Sequence, residues 1–162
     1  MKRLVISLVL TAIGLGEIFA QSVLNGEGRS VNVACDAVHF DYYNGLACVI
    51  SGDRYVFVDG EGNMLPQKYD AVGFFDSNNL CVVQIGDKYG VVDPSARQVL
   101  EVKYDSVGDF SPGGFAEIVL NGKIGFINTS AQVVVAPKYS AVGALSESGL
   151  RWVNVGGAID EN

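Results

Sequence analysis

Three copies of one short segment decide the fold: Lys103-Tyr104-Asp105-Ser106-Val107-Gly108 and its counterparts at residues 68–73 and 138–143. Their tyrosines lie 35 residues apart, and a weaker fourth copy covers residues 35–40. Self-similarity at a fixed period of this length is typical of repeat architectures, in which neighbouring units share a continuous core. We therefore predict a tandem array.

The copies agree again between these segments. Residues 87–93 read Asp-Lys-Tyr-Gly-Val-Val-Asp, and related sequences occupy residues 53–59 and 122–128. Asn121-Gly122 is a strong hairpin signal, because both residues tolerate positive φ. Alternating apolar residues on either side predict three short strands in each repeat. The strands are residues 80–85, 88–92 and 98–102 in one copy and residues 115–120, 123–127 and 132–136 in the next.

The predicted fold class is all-β, a tandem array of three-stranded antiparallel β-hairpin repeats of about 35 residues. The repeats cover residues 36–69, 70–104 and 105–139, and a partial repeat covers residues 140–157. We favour an open, solenoid-like array over the alternative of a propeller-like sheet. Three complete units are fewer than the usual blade number of a closed propeller, which is about 4–8.

This succession of segments resembles the bacterial WG repeat, whose signature is a Lys-Trp-Gly-Phe-Ile-Asp strand followed by a Lys-Tyr-Asp segment. Residues 88–93 and 123–128 match the strand, and the resemblance covers roughly residues 36–157. The signature tryptophan is replaced by Tyr55, Tyr89 or Ile124. In the earliest copy, valine stands where the glycine is expected.

The resemblance implies a β-rich tandem array of the kind found in exported or surface-located bacterial proteins. It assigns no catalytic residues to the repeat and implies an interaction role. Because the tryptophans are replaced, the resemblance supports the fold better than any binding role that needs a regular tryptophan ladder.

Residues 1–20 have the pattern of a secretory signal peptide. Lys2 and Arg3 precede an apolar run at residues 4–15, and Ala20 stands before the expected cleavage point. A membrane anchor is the lesser alternative, because the run is shorter than the roughly 20 apolar residues that span a bilayer and Glu17 follows it. We expect an exported protein, periplasmic or extracellular, with no membrane span after cleavage.

The ends of the mature chain flank the array. Residues 21–35 are predicted to be an N-terminal lead-in, and residues 158–162 a C-terminal tail. The partial repeat stops where a partner strand should begin. Either the chain is a fragment of a longer array, or its last strand caps the sheet. We favour the fragment, because an unpaired strand edge is a template for aggregation.

The charge balance limits the partners. The whole chain has 11 basic and 18 acidic residues and a net charge of −7. Removal of Lys2, Arg3 and Glu17 with the signal peptide brings the net charge to −8. Nucleic acid and anionic membranes bind clustered lysine and arginine, so we expect neither as a partner.

Three cysteines, Cys35, Cys48 and Cys81, lie in the mature chain and allow at most one internal bridge. By repeat equivalence, Cys48 and Cys81 point to opposite faces of their strands. A bridge between these two is therefore not expected. Small buried thiols that pack like alanine or valine are the alternative for both.

The residues assemble no constellation for catalysis. His39 is the only histidine, and neither a metal cluster nor a Ser-His-Asp or Cys-His arrangement surrounds it. The acidic turn at Asp59 resembles a calcium loop, but Met64 stands where such a loop needs glycine, so we predict a polar turn. We predict a non-enzymatic protein without catalytic residues, metal or cofactor.

Two binding functions remain. The first is a scaffold that binds an unknown protein partner through the more mixed face of the first strands, which is more apolar than solvent requires. Its candidate residues are Leu80, Val82, Phe115, Val119, Leu150 and Trp152. The alternative is a glycan-binding or cell-wall-binding module with a stripe formed by Tyr69, Tyr104 and Tyr139. The same tyrosines are also explained as repeated core rings.

Overall fold

The structure, a computed structural model, describes residues 20–25, 27–111, 113–143 and 153–154. The regular structure in these ranges is entirely β, in sixteen strands that form five antiparallel sheets. The predicted signal peptide, except Ala20, and the predicted tail lie outside the described residues.

Each sheet takes its strands from one continuous stretch of the chain. The N-terminal hairpin comprises β1 (Ala20–Leu24) and β2 (Ser30–Ala34). Sheet 1 comprises β3 (Ala37–Tyr43), β4 (Leu46–Ser51), β5 (Arg54–Val58) and β6 (Met64–Tyr69). Sheet 2 comprises β7 (Ala71–Val72), β8 (Cys81–Ile85), β9 (Lys88–Val92) and β10 (Gln98–Tyr104). Sheet 3 comprises β11 (Ser106–Val107), β12 (Phe115–Leu120), β13 (Lys123–Asn128) and β14 (Val133–Tyr139), and the C-terminal pair comprises β15 (Ala141–Val142) and β16 (Val153–Asn154).

The predicted all-β tandem array is confirmed, and each of the sheets 1 to 3 lies within one predicted repeat range. The sheets have four strands rather than three. In sheets 2 and 3 the additional strand is a two-residue segment after the junction aspartate; in sheet 2, Ala71 pairs with Gln84 and Val72 with Val83. In sheet 1 it is the seven-residue strand β3. The predicted lead-in is itself a hairpin, with Val23 opposite Val31.

Clusters of buried apolar side chains lie between successive sheets, so the sheets pack face to face. The cluster between the N-terminal hairpin and sheet 1 contains Val23, Val33, Cys35, Ala47, Val49, Val56 and Val58. The cluster between sheets 1 and 2 contains Leu46, Cys48, Phe57, Tyr69, Val72, Cys81, Val83 and Val92. The cluster between sheets 2 and 3 contains Leu80, Val91, Leu100, Tyr104, Ala116, Ile118, Ile127 and Ala131. Because side chains alternate across a strand, sheets 1 and 2 each bury both faces, and the array is an open stack.

In the structure Cys35, Cys48 and Cys81 are buried free thiols, and no bridge joins Cys48 to Cys81. The two residues do point to opposite faces of their own sheets, as repeat equivalence predicts. However, the second sheet lies on the first, so both thiols enter the same interface. Cys35 lies in the preceding interface.

A carboxylate at the junction of sheets 1 and 2 connects these two sheets, and another at the junction of sheets 2 and 3 does the same there. Oδ1 of Asp105 accepts a hydrogen bond from Nζ of Lys88 at 2.8 Å, and its Oδ2 accepts one from the N–H of Gly122 at 3.1 Å. The Lys88 ammonium lowers the pKa of the Asp105 carboxyl below its ordinary value. Asp70 makes the equivalent contacts with Arg54 and with the β8–β9 turn. A basic residue at the start of β5 or β9 is therefore paired each time with the aspartate of the following junction: Arg54 with Asp70, and Lys88 with Asp105.

A side-chain oxygen also closes each of the turns that follow β5, β9 and β13. In Asp59, Asp93 and Asn128, Oδ1 accepts hydrogen bonds from the backbone N–H groups two and four residues later, at 2.9–3.1 Å. The Asn63 side chain also donates to Asp59 and lowers the pKa of that carboxyl. The Asp59 segment is thus a polar turn whose carboxylate is used by its own backbone.

Gly90 on β9 is covered by a bulge of β10, and Gly125 on β13 is covered by a bulge of β14. Val91 pairs with Leu100 and Tyr89 pairs with Tyr104. Three residues of β10 therefore lie opposite the single residue Gly90. A Cβ at Gly90 would lie 2.7 Å from the carbonyl oxygen of Leu100, which leaves no room for a side chain.

We predict that Gly125→Ala destabilises the protein by about 1–3 kcal/mol, because the new Cβ would lie 2.5 Å from the carbonyl oxygen of Val135 and 2.7 Å from the nitrogen of Pro137. Urea unfolding measures the change. Gly60→Ala is the matched control, since no heavy atom lies within 4 Å of its added Cβ. Equal midpoints for the two variants would contradict the packing argument.

Candidate functional site

The predicted protein-binding surface is partly covered. Leu80 is only 7% exposed, and Val82 packs against the same cluster between sheets 2 and 3. The mixed face of β8 is therefore not an open surface, because sheet 3 lies on it. The expectation that these two side chains lie on an open strand face is wrong, and both line a groove that is described below.

The equivalent face of β12 is less covered. Phe115 is 49% exposed and Val119 is half-buried. Leu150 and Trp152, the other two predicted surface residues, lie outside the described residues.

The predicted tyrosine stripe is not at the surface. Tyr69 is 2% exposed and Tyr104 is 4% exposed, and each belongs to a cluster between two sheets. Tyr139 is half-buried, with Nζ of Lys138 at 5.2 Å from its ring centre. The stripe is therefore wrong for Tyr69 and Tyr104, whose rings are core residues, the alternative that the sequence also allowed.

His39 lies in a packed environment. Its Nε2 donates a hydrogen bond to the carbonyl oxygen of Val72 at 2.8 Å, and its ring meets Tyr55 edge-on at 4.9 Å. Within the described ranges, no three His, Cys, Asp or Glu side chains are grouped so that they could hold a metal ion. The same ranges contain no helix that could cross a membrane.

A groove of about 380 Å³ opens between sheets 2 and 3. Its buried lining is apolar and includes Leu80 and Val91. Phe74, Asp109 and Phe110 also line the groove, and of these Phe74 and Asp109 are exposed. The groove therefore combines an apolar base with aromatic and acidic groups close to solvent.

The loop that forms one wall of the groove is held by its own hydrogen bonds. Oδ1 of Asp76 accepts the backbone N–H groups of Asn78 at 2.8 Å and Leu80 at 2.9 Å. Oδ1 of Asn79 accepts hydrogen bonds from the Tyr43 hydroxyl and the Asn44 amide, both at 3.0 Å. The loop between β7 and β8 of sheet 2 is thus tied to the β3–β4 turn of sheet 1.

Beside the groove lies a group of rings that we call the aromatic patch: His39, Phe40, Tyr43, Phe74 and Phe75. Phe74 stacks on His39 at 5.0 Å between ring centres, and Tyr43 stacks on Phe75 at 5.0 Å. Phe40 lies 5.9 Å from both phenylalanines of the loop. Phe74 is 68% exposed and also lines the groove, so the aromatic patch and the groove form one continuous surface.

This surface combines an exposed aromatic ring, an apolar groove and a carboxylate close to solvent. An exposed ring held by neighbouring rings loses little conformational entropy on binding, and such rings are common anchors in protein interfaces. Asp109 makes no hydrogen bond or ion pair with any described residue. A carboxylate beside aromatic rings can accept a cationic side chain.

Sequence reasoning missed the aromatic patch. It examined the strand faces, whereas Phe74 and Phe75 lie in the loop between β7 and β8. The available signal was local: residues 73–76 read Gly-Phe-Phe-Asp, the only adjacent phenylalanines in the chain. Their meeting with His39 and Tyr43 depends on the stacking of two repeats, which the sequence alone did not specify.

The fold defines a tandem all-β repeat protein, and a groove lies between two of its units. The sequence profile of the WG containing repeat matches residues 57–89, 89–123 and 124–157. The chain belongs to the WG containing repeat family. Among curated proteins, no sequence matches this chain.

Proposed function

We propose that this chain is an exported, non-enzymatic repeat scaffold that binds another protein in the bacterial envelope. The observation that carries the proposal is Phe74, a large apolar side chain that is 68% exposed and is stacked on His39. Exposed rings of this kind, next to an apolar groove, are typical of protein interfaces.

The chemistry of the surface favours a basic partner segment. Phe74 and Phe110 supply ring faces, and Asp109 supplies a carboxylate. An arginine or lysine side chain can stack its apolar part on such rings while its charged end reaches the carboxylate. The net charge of −7 for the whole chain also favours a positively charged partner over an acidic one.

Phe74→Ala is predicted to weaken the partner complex by about tenfold or more, because it removes an anchor ring. The experiment immobilises the wild-type protein, Phe74→Ala and Phe115→Ala and captures proteins from the host envelope fraction. The captured partner is then purified and its Kd is measured for each variant. Phe115→Ala is the matched control, since Phe115 is also exposed but lies away from the groove.

An unchanged Kd for Phe74→Ala, or a loss confined to Phe115→Ala, would move the contact surface away from the groove. A glycan could also stack on Phe74. Co-sedimentation with insoluble peptidoglycan separates the two functions: a protein-binding scaffold stays in the supernatant, and a cell-wall module sediments in a Phe74-dependent manner.

Export rests on the first twenty residues, whose charged start, apolar run and Ala20 fit a signal peptide. We expect the protein in the envelope or medium to begin at Gln21. Mass spectrometry of the intact protein measures this. A mass that includes residues 1–20 would contradict cleavage and favour an anchored chain.

A further inference from the structure

The outer face of sheet 3 consists of the positions that form an interface in sheet 2. In sheet 2 these positions are buried beneath sheet 3, and they are Leu80, Val91, Leu100 and Tyr104. Their counterparts one repeat later are Phe115, Phe126, Val135 and Tyr139. Strand alternation turns this set away from sheet 2, because the neighbouring Ala116 and Ile127 belong to the cluster on the inner side. We call the set the end face and include in it Val134, whose counterpart Val99 packs against the same cluster.

The end face is more exposed than the equivalent face of sheet 2. Phe115 is 49% exposed, and Val134 is 47% exposed where Val99 is half-buried. The other three members are half-buried, although their counterparts in sheet 2 are buried. The C-terminal pair follows sheet 3 with two residues in each strand, and Phe115 and Val134 remain about half exposed beside it. A contiguous apolar surface of this kind marks an interaction site.

We propose that the end face is the contact between two copies of this chain, which meet through the same face and are related by a two-fold axis. Inside the chain, the equivalent positions of sheets 1 and 2 each pack on a sheet of the same repeat. A second copy brings such a sheet to the end face. None of the end-face side chains lines the groove between sheets 2 and 3, so this contact is separate from the proposed partner site.

The opposite end of the described stack does not offer a matching surface. Val23 and Val33 of the N-terminal hairpin face sheet 1, so the alternate residues of β1 and β2 face outward. Ser22 and Asn32 are paired on that outer face, where the serine hydroxyl donates a hydrogen bond to Oδ1 of Asn32 at 2.8 Å. A head-to-tail contact would place these polar groups on the end face and, when repeated, would build an open filament. Contact between two end faces closes after two copies.

The charge distribution favours the same contact. Residues 36–69 contain two basic and five acidic residues, and residues 70–104 contain three basic and five acidic residues. Residues 105–139, the repeat that carries the end face, contain two basic and three acidic residues. Net negative charge therefore decreases toward the end face. Because salt screens charges beyond about 8 Å, two acidic chains repel each other least when their least acidic repeats meet.

The size of the end face sets the strength of the contact. Four strands spaced about 4.8 Å apart, with about six residues each, cover on the order of 20 by 20 Å, so two copies bury on the order of 800–1,000 Å² in total. That area is at the low end of specific interfaces, and we expect a dissociation constant on the order of 10–100 µM. At about 1 µM the chain is therefore monomeric.

Sedimentation equilibrium measures this association, with the chain purified in the form that the cell accumulates and studied from about 1 to about 500 µM. We expect a monomer at the lowest concentration and a dimer at the highest. Val134→Lys should raise the dissociation constant about tenfold or more, because the contact would desolvate the new charge. Val133→Lys is the matched control and should leave it unchanged. Val133 is 44% exposed, but it pairs with Ile127 and therefore lies on the side of sheet 3 that faces sheet 2.

A wild-type chain that stays monomeric at about 500 µM would overturn the proposal, as would species larger than a dimer. Equal dissociation constants for the two lysine variants would also overturn it. NMR supplies a second readout that needs no variant: the amide signals of the end face should shift with protein concentration, and those of the groove should not. If Val134→Lys does not fold, this map decides alone, and shifts that lie outside the end face would contradict the proposed contact.

Discussion

The packing of each sheet on the next is the interaction on which the rest of this structure depends. A four-stranded sheet of this size has two apolar faces and cannot cover either by itself. Three clusters of buried side chains, one in each interface between successive sheets, cover these faces. Each fully buried valine or leucine contributes about 1.5–3 kcal/mol, and each of the two interfaces of sheet 1 holds four or five of them among its seven or eight buried apolar residues, so the interfaces are the main stabilising element of the array.

The polar residues of the repeat act at the edges of these interfaces. Asp105 lies between sheets 2 and 3 and contacts Lys88 of sheet 2 and the Gly122 turn of sheet 3, so it fixes the position of one repeat on another. Gly90 and Gly125 have no Cβ, so the bulges of β10 and β14 can lie directly over them. In sheet 1, Val56 stands where sheets 2 and 3 have these glycines, and it pairs with Lys68. The bulge of β6 lies between the partners of Val56 and Val58 instead. These contacts explain why the lysine, glycine and aspartate recur at fixed spacing in the repeat.

Much of the fold could be predicted from the sequence, because period and strand alternation are local properties. The repeat length, the all-β class and the hairpin at Asn121-Gly122 needed no tertiary knowledge. The short strand Ala71–Val72 was missed because two residues cannot carry an alternating pattern. The site was harder to predict. Strand alternation predicts correctly on which face of its strand Leu80 or Cys48 lies. Whether that face is exposed to solvent or covered by a neighbouring sheet depends on how whole sheets stack. The aromatic patch depends on loops from two repeats and was missed for the same reason.

The central claim is that burial in this array comes from the next sheet, and Leu80 and Phe115 test it directly. They occupy the same position in successive repeats, yet Leu80 is 7% exposed beneath sheet 3 and Phe115 is 49% exposed. The measurement is the free energy of unfolding in urea for Leu80→Ala and Phe115→Ala. The account predicts a loss of about 2–4 kcal/mol for Leu80→Ala and less than about 1 kcal/mol for Phe115→Ala. Equal losses, or a larger loss at Phe115, would contradict it.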